Sequence, residues 1–212
     1  MIDAIFWDND GVLVDTEHLY FEATRDMLDT IEIPLTEDDY RELFLLQGRG
    51  AWHLAEARGI PPPEVEALRQ RRNARYAELI SRDPRVLPHV LDVVSSLHGR
   101  YRMGIVTSSR RDHFEIIHRG TGLLPYFDFV VTADDCPRTK PCPDPYLRAI
   151  EASGVDPAAG VAVEDSARGL EAATAAGLRC VIVPSRLTRT QTFDGALRLE
   201  SIRDLPALLQ TL

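Results

Sequence analysis

The sequence predicts an α/β fold, in which a Rossmann-like parallel sheet carries helices on both faces and a helical domain is inserted after the first strand. Five short runs rich in β-branched and aromatic residues have the composition of buried strands. Helical segments alternate with the later runs, and one long segment shows helical periodicity alone. Because parallel strands need crossover connections, this alternation indicates a parallel sheet.

The five expected strands cover residues 4–8, 103–107, 129–132, 160–164 and 179–183. Between the later strands, the helix ends are marked by residues with known preferences. Asp144 and Pro145 favour the start of one helix and Gly154 favours its end, whereas Ser166 and Gly177 bound another. The resulting order is β-α-β-α-β, with the right-handed crossovers that dominate such folds.

Residues 15–84 differ from the rest of the chain, because they contain amphipathic stretches at 19–31 and 64–80 and no strand pattern. Three prolines at 61–63 favour a stiff turn that leads into a helix. We therefore expect a core made of residues 1–14 and 85–212 and an inserted helical domain at 15–84. The expected hinges lie near Val14-Asp15 and Pro84-Arg85.

The length, composition and charge of the sequence limit the classes of protein to which it can belong. The chain has 212 residues, of which 44% are hydrophobic and 27% charged, as expected for one globular core with one insertion. No segment resembles a signal peptide or a membrane span, so we expect a cytoplasmic protein without a membrane partner. The net charge of -9 opposes nonspecific nucleic-acid binding, and the three cysteines fit no disulfide or zinc pattern. We expect a monomer with reduced thiols.

Two carboxylates, Asp8 and Asp10, follow the first expected strand and precede Gly11. In open α/β sheets, ligands bind where parallel strands end. A calcium loop of the EF-hand type would need three oxygen ligands before its glycine, and Gly11 comes too early for that. A simple turn capped by Asp10 remains an alternative for this segment taken alone.

Hydroxyl groups and a lysine follow the next two strands. Thr107, Ser108 and Ser109 stand before a helical stretch, where hydroxyls and free backbone N–H groups bind phosphate or simply cap the helix. Lys140 lies between residues of a proline-rich segment, which holds the backbone stiff. Its compact charge suits a phosphate oxygen or a carboxylate, although most single lysines are solvated surface groups.

The fourth strand ends in the adjacent carboxylates Glu164 and Asp165. Two like charges at the tip of an apolar strand repel each other and are costly to bury without a cation. With Asp8 and Asp10 they form an all-oxygen set, which suits Mg²⁺. The sequence therefore predicts a magnesium site at the ends of the strands.

These four motifs, taken in order, resemble those of the haloacid dehalogenase superfamily, in its phosphatase and phosphomutase branch with a helical cap after the first motif. The resemblance covers essentially the whole chain. It is carried by Asp8-x-Asp10-Gly11-Val12-Leu13-Val14-Asp15-Thr16, Thr107-Ser108, Lys140-Pro141-x-Pro143-Asp144, and Glu164-Asp165-Ser166 with Gly169.

The resemblance implies a role for each motif. Asp8 would be the nucleophile that forms an aspartyl-phosphate, and Asp10 the general acid and base. Mg²⁺ would bind Asp8, the Asp10 carbonyl and the two carboxylates of the fourth motif. Lys140 and Mg²⁺ would keep Asp8 ionised, and phosphate would also contact Thr107 and Ser108.

The same resemblance also indicates which branch of the superfamily, and so which activity, to expect. The dehalogenases lack an aspartate at the position of Asp10, and the phosphonate-cleaving branch uses a cap lysine, whereas no lysine precedes Lys140. The expected activity is hydrolysis of a small phosphorylated metabolite, either a sugar phosphate or a nucleotide.

The inserted domain would then be the cap that selects the substrate. Its candidate substrate-binding residues lie at the cap entrance and in a glycine-flanked loop: Glu17, His18, Tyr20, Gln47, Gly48, Arg49 and Trp52. A β-phosphoglucomutase is the first alternative, although Gly48-Arg49-Gly50 departs from the usual arginine spacing of those enzymes. A noncatalytic phosphate-binding or regulatory protein is the second alternative, and the intact set of catalytic residues opposes it.

Overall fold

A computed structural model of the chain describes residues 1–82 and 85–212, and the described residues form two compact units. The first unit comprises residues 1–15 and 85–212, and the second comprises residues 16–82. In the first unit, the Asp15 N–H donates to the Arg85 carbonyl at 2.8 Å, and Val14 pairs with Val86. Pro84, in the expected second hinge, lies outside the described residues.

The first unit is built on a parallel sheet of six strands, counted within the described residues. The strands are β1 Ala4–Trp7, β2 Arg102–Val106, β3 Phe129–Val131, β4 Gly160–Glu164, β5 Arg179–Ile182 and β6 Leu197–Arg198. Their spatial order in the sheet is β3-β2-β1-β4-β5-β6.

The sequence predicted the first five strands to within about a residue at each end. The sixth strand was missed, because Leu197–Arg198 has only two residues, both exposed, and lacks a buried apolar run. Central position explains the composition of β1 and β4. Strand β1 is buried at every residue and pairs with both β2 and β4, so neither face nor edge is open to water and every position can be apolar.

The described helices of this unit are numbered from α5, because four described α-helices precede them in the chain: α5 Val90–Leu97, α6 Arg111–His118, α7 Asp144–Ser153, α8 Ala167–Ala175 and α9 Leu205–Leu209. The sequence predicted the ends of two of them, α7 and α8. Helix α7 begins at Asp144 and ends at Gly154 in a left-handed conformation (φ 67°). Ser166 caps α8 by accepting from the Gly169 N–H at 3.2 Å.

In the second unit, the regular elements formed by the described residues are all helices, joined by short irregular segments. Its elements are α1 Glu17–Asp29, α2 Glu37–Tyr40, a π-helical segment Arg41–Leu46, α3 Trp52–Ala57 and α4 Pro62–Arg82. Helices α1 and α4 pack against each other, with the rings of Tyr20 and Tyr76 in edge contact at 5.1 Å between centroids. Helix α4 begins within the proline run, as predicted.

Two further features concern the chain as a whole. Among residues 1–82 and 85–212, no helix combines the length and the apolar character that crossing a bilayer requires. Cys136, Cys142 and Cys180 are free thiols, and Cys180 is buried. Burial raises the pKa of the Cys180 thiol well above its ordinary value, so this thiol is protonated and unreactive near neutral pH.

Candidate active site

The order of the sheet brings three of the expected motifs to one edge. Strand β1 lies between β2 and β4, so the residues that follow these strands are neighbours in space. The ladder extends slightly past the strands, since the Asp8 N–H donates to Val163 O at 2.9 Å and the Thr107 N–H donates to Val131 O at 2.9 Å. Backbone hydrogen bonds therefore fix the positions of Asp8 and Thr107 independently of any side-chain contact.

Lys140 is buried and donates three hydrogen bonds from its ammonium group. The acceptors are Asp8 Oδ1 at 2.7 Å, Glu164 Oε1 at 2.6 Å and the Val106 carbonyl at 2.7 Å. Burial lowers the pKa of Lys140, but the charges and hydrogen bonds of the two carboxylates outweigh burial and raise this pKa above its ordinary value. Lys140 is therefore a fixed cation that joins the first, third and fourth motifs.

Three buried carboxylates form one cluster, and two of them bind Lys140. Oxygen atoms of Asp8, Glu164 and Asp165 all lie within 4.8 Å of one another. Glu164 is fully buried, and its Oε1 also accepts a hydrogen bond from the Tyr146 hydroxyl at 2.6 Å. Burial and the charge of Glu164 raise the pKa of Asp8 to about 8 against the opposing effect of Lys140. Lys140 thus lowers the pKa of Asp8, in the direction that the sequence-based expectation gave it, and further positive charge is needed to keep Asp8 ionised.

The cluster fits a hard divalent cation. Its donors are all oxygen, and the three carboxylates have one ammonium group bound to two of them, so further positive charge is needed to stabilise them in their ionised form. Asp10 is not part of this cluster of side chains within the described residues. The sequence-based expectation is that the backbone carbonyl of Asp10 binds the metal, and this stays a prediction.

Two glycines leave the room that these carboxylates occupy. A Cβ atom on Gly169 would lie 1.9 Å from the Glu164 carboxyl group, and one on Gly11 would lie 2.3 Å from Asp165 Oδ2. Gly11 also has φ +89°, which side chains rarely adopt. Both carboxylates thus pack directly on backbone, and any side chain at either glycine would displace them.

Asp10 receives hydrogen bonds from three side chains on a single oxygen. Its Oδ2 accepts from Ser109 Oγ at 2.8 Å, Thr107 Oγ1 at 3.2 Å and Asn9 Nδ2 at 3.3 Å. Ser109 lies next to Ser108, which is exposed and whose expected contact with phosphate stays a prediction. Thr107 and Ser109 therefore hold the Asp10 carboxylate in place, whereas a phosphate contact by Thr107 stays a prediction.

A buried histidine, which the sequence did not indicate, supports the same corner of the site. His118 Nε2 lies 2.8 Å from Asn9 Oδ1, and His118 Nδ1 lies 3.0 Å from Thr121 Oγ1. Burial lowers the pKa of His118 to about 4, with the charge of Asp10 acting in the opposite direction. His118 is therefore neutral at physiological pH. No sequence signal links residues 9 and 118, because only the packing of α6 brings them together.

The candidate residues of the cap are described within the second unit alone. Glu17 accepts a hydrogen bond from the Tyr40 hydroxyl, and Gln47 Nε2 donates to Glu42 Oε1 at 2.7 Å. His18 is half-buried, whereas Gly48 and Arg49 are exposed. Trp52 is buried, and the guanidinium of Arg72 lies over its ring at 5.7 Å and over that of Tyr20 at 4.3 Å. The sequence gave no indication of this stack. The substrate-binding roles of these residues stay predictions.

The chain belongs to the haloacid dehalogenase-like hydrolases, whose family model matches residues 2–177. It is 31% identical to Protein CbbY of Rhodobacter capsulatus over 207 residues, which cover 92% of this chain and 91% of that protein. It is 34% identical to the fructose-1-phosphate phosphatase YqaB of Escherichia coli, over 85% of this chain and 95% of that one.

A solved structure extends the comparison to the fold. CbbY from Rhodobacter sphaeroides, crystallised as a variant in complex with xylulose-(1,5)bisphosphate, has a TM-score of 0.80 with 29% identity and 95% coverage of both chains. The fold class and the family that the sequence predicted are thereby confirmed.

Proposed function

We propose that this protein is a Mg²⁺-dependent phosphatase that hydrolyses a small phosphorylated metabolite through an aspartyl-phosphate on Asp8. The observation that carries the proposal is the buried cluster in which Lys140 bonds both Asp8 and Glu164, with an oxygen of Asp165 within 4.8 Å of both carboxylates. Buried, paired charges at the end of a parallel sheet mark a functional site, because they are costly to keep there for stability alone.

The reaction needs two transfers of the same phosphoryl group. A carboxylate oxygen of Asp8 forms a bond to phosphorus while the bond from phosphorus to the leaving oxygen breaks, and Asp10 gives that oxygen its proton. Asp10 then takes a proton from water as the water oxygen attacks phosphorus. The bond between phosphorus and Asp8 breaks, inorganic phosphate leaves, and Asp8 is restored with Asp10 protonated.

Charge neutralisation supports both transfers. Asp8, Glu164 and Asp165 would hold the metal, together with the Asp10 carbonyl. Bound Mg²⁺ would supply positive charge to the phosphate oxygens. Lys140 adds a fixed cation, and the hydroxyl of Thr107 is available at the end of β2.

Within the class of small metabolites, the relatives favour a sugar phosphate over a nucleotide. One relative is a fructose-1-phosphate phosphatase and another was crystallised with a sugar bisphosphate. A β-phosphoglucomutase would return phosphate to a sugar, and the Gly48-Arg49-Gly50 spacing weakens that alternative. The monomeric state and the absence of nucleic-acid and membrane partners stay predictions.

The test is release of inorganic phosphate from a panel of sugar phosphates and nucleotides, measured with Mg²⁺ and with EDTA. Asp8→Asn should lose all measurable turnover and keep its fold, because the amide cannot attack phosphorus. Asp3→Asn is the matched control, since it makes the same chemical change at an exposed position before β1 and should keep wild-type activity.

Each result has a distinct meaning. Wild-type turnover by Asp8→Asn would contradict the nucleophile, and activity that is equal in EDTA would contradict the metal. Transfer of phosphate to a sugar without release of inorganic phosphate would favour the mutase. Absence of any turnover by the wild-type protein would favour the noncatalytic alternative.

A further inference from the structure

We propose that His118 and Asn9 are positioning residues for general acid catalysis, which hold the Asp10 carboxylate in place through a one-directional chain of hydrogen bonds. The inference deepens the proposed function and depends on it, because it assigns a task to residues outside the four motifs. It stands on the buried contacts that run from Thr121 through His118 and Asn9 to Asp10.

The donors and acceptors along the chain are fixed by chemistry. An ionised carboxylate only accepts hydrogen bonds, so the group that Asn9 presents to Asp10 Oδ2 at 3.3 Å is its amide nitrogen. The carbonyl oxygen of Asn9 therefore faces His118, and it too can only accept. His118 Nε2 consequently carries the hydrogen in the 2.8 Å contact.

The second ring nitrogen of His118, Nδ1, continues the same direction of hydrogen bonding. With its hydrogen on Nε2, the neutral ring accepts at Nδ1 from the Thr121 hydroxyl at 3.0 Å. Thr121 Oγ1 in turn accepts from the Leu123 N–H at 3.3 Å. Every hydrogen bond thus points toward Asp10, and such chains polarise one another in a low-dielectric interior.

The backbone of Asn9 leaves its side chain free for this contact. Its carbonyl accepts from the N–H groups of Leu13 at 2.9 Å and Val14 at 3.1 Å, which forms the turn after β1. The side chain makes no part of that turn and is fully buried. Replacing it by an apolar group of similar shape therefore removes the bond to Asp10 and leaves the turn intact.

The chain of hydrogen bonds ends on one oxygen of Asp10, Oδ2. Asn9, Ser109 and Thr107 all donate to Oδ2, so three donors surround that atom. A carboxyl oxygen that accepts three hydrogen bonds is a poor place for a proton, and the transferable proton accordingly belongs on Oδ1. Loss of the chain would loosen the carboxylate and weaken proton transfer to the leaving group, while attack by Asp8 would be less affected.

This difference can be measured with two leaving groups of similar size. Phenolate is a stronger base than p-nitrophenolate, so phenyl phosphate needs the general acid more than p-nitrophenyl phosphate does. The value of kcat/KM covers the steps up to release of the leaving group. We expect His118→Leu to lower kcat/KM for phenyl phosphate about tenfold more than for p-nitrophenyl phosphate.

His118→Gln is the matched control, because its amide nitrogen can replace the Nε2 donor to Asn9, and it should restore the wild-type ratio of the two kcat/KM values. Asn9→Leu keeps the turn and should reproduce the changed ratio if His118→Leu fails to fold. An equal fall for both substrates in His118→Leu or Asn9→Leu would overturn the inference and leave the proposed function standing. A wild-type protein that hydrolyses neither substrate with Mg²⁺ would overturn both.

Discussion

Charged side chains are used differently in the two units of this protein. In the first unit, Lys140, Asp8 and Glu164 are buried and hydrogen-bonded to one another at the end of the sheet. In the helical unit, Arg75 makes three ion pairs, with Glu22, Asp26 and Glu78, and all of these side chains remain at least one quarter exposed. The number of ion pairs therefore does not identify a functional site, whereas the burial of paired charges does.

The largest effect should follow from removal of the buried cation. Lys140→Met leaves Asp8 and Glu164 buried without their ammonium partner, which typically costs about 3–5 kcal/mol of unfolding free energy. We expect kcat/KM to fall by about 10³-fold or more as well. Urea unfolding in EDTA and kinetics with Mg²⁺ measure the two effects. Unchanged stability would show that these charges do not depend on Lys140.

The second prediction concerns stability in acid. His118 stays neutral in the folded protein down to a pKa of about 4, whereas in the unfolded chain it binds a proton below about 6.5. Its contribution is therefore complete above pH 6.5 and is lost as the pH falls toward 4. The loss is about 1.4 kcal/mol per pH unit and about 3 kcal/mol in all.

Acidic groups also titrate in this range, so the measurement is the difference between wild type and His118→Gln in urea unfolding from pH 7 to pH 4.5. The wild-type curve should fall more steeply than that of the variant. Parallel curves would mean that the folded protein admits a proton on His118.

A smaller effect is expected at Gly169, where an added Cβ would overlap the Glu164 carboxyl group at 1.9 Å. Gly169→Ala forces Glu164 to move, so we expect Mg²⁺ to bind about tenfold more weakly, with overpacking costing about 1–3 kcal/mol. The concentration of Mg²⁺ that gives half-maximal activity reports the first quantity. Gly120→Ala is the matched control, because nothing lies within 4 Å of an added Cβ there.

The smallest effect should come from the exposed ion pairs of the helical unit. Arg75→Gln removes three contacts, but exposed pairs are screened by water and salt. We expect the midpoint of thermal unfolding to fall by no more than about 3 °C, with kcat/KM unchanged. A fall as large as that of Lys140→Met would abolish the distinction between the two units.

Much of the fold could be predicted because its signals are local. Strands such as Gly160–Glu164 are short apolar runs, and helix ends such as Asp144 and Gly154 are set by residues that prefer those positions. The location of the candidate site at the ends of the strands could be predicted for the same reason. Since parallel strands end at one edge, residues such as Asp8 and Glu164, far apart in sequence, were expected to meet, as the structure shows them to do.

What could not be predicted depends on packing across the chain. The contact between Asn9 and His118 needs the position of α6 on the sheet, and the task of Gly169 needs the side-chain conformation of Glu164. The hydrogen bond from Ser109 to Asp10 likewise joins residues from two separate segments of the chain. The strand Leu197–Arg198 is too short to carry a pattern.

The burial of Lys140 has a practical consequence, because it is the only lysine in the 212-residue sequence. Its side chain is 6% exposed in the folded protein, so amine-reactive reagents should modify the amino terminus and spare this residue. Once the chain unfolds, the same reagents gain one additional target, and a single mass increment reports the event. The rate at which Lys140 is modified therefore reports the opening of the active site, without any engineered label.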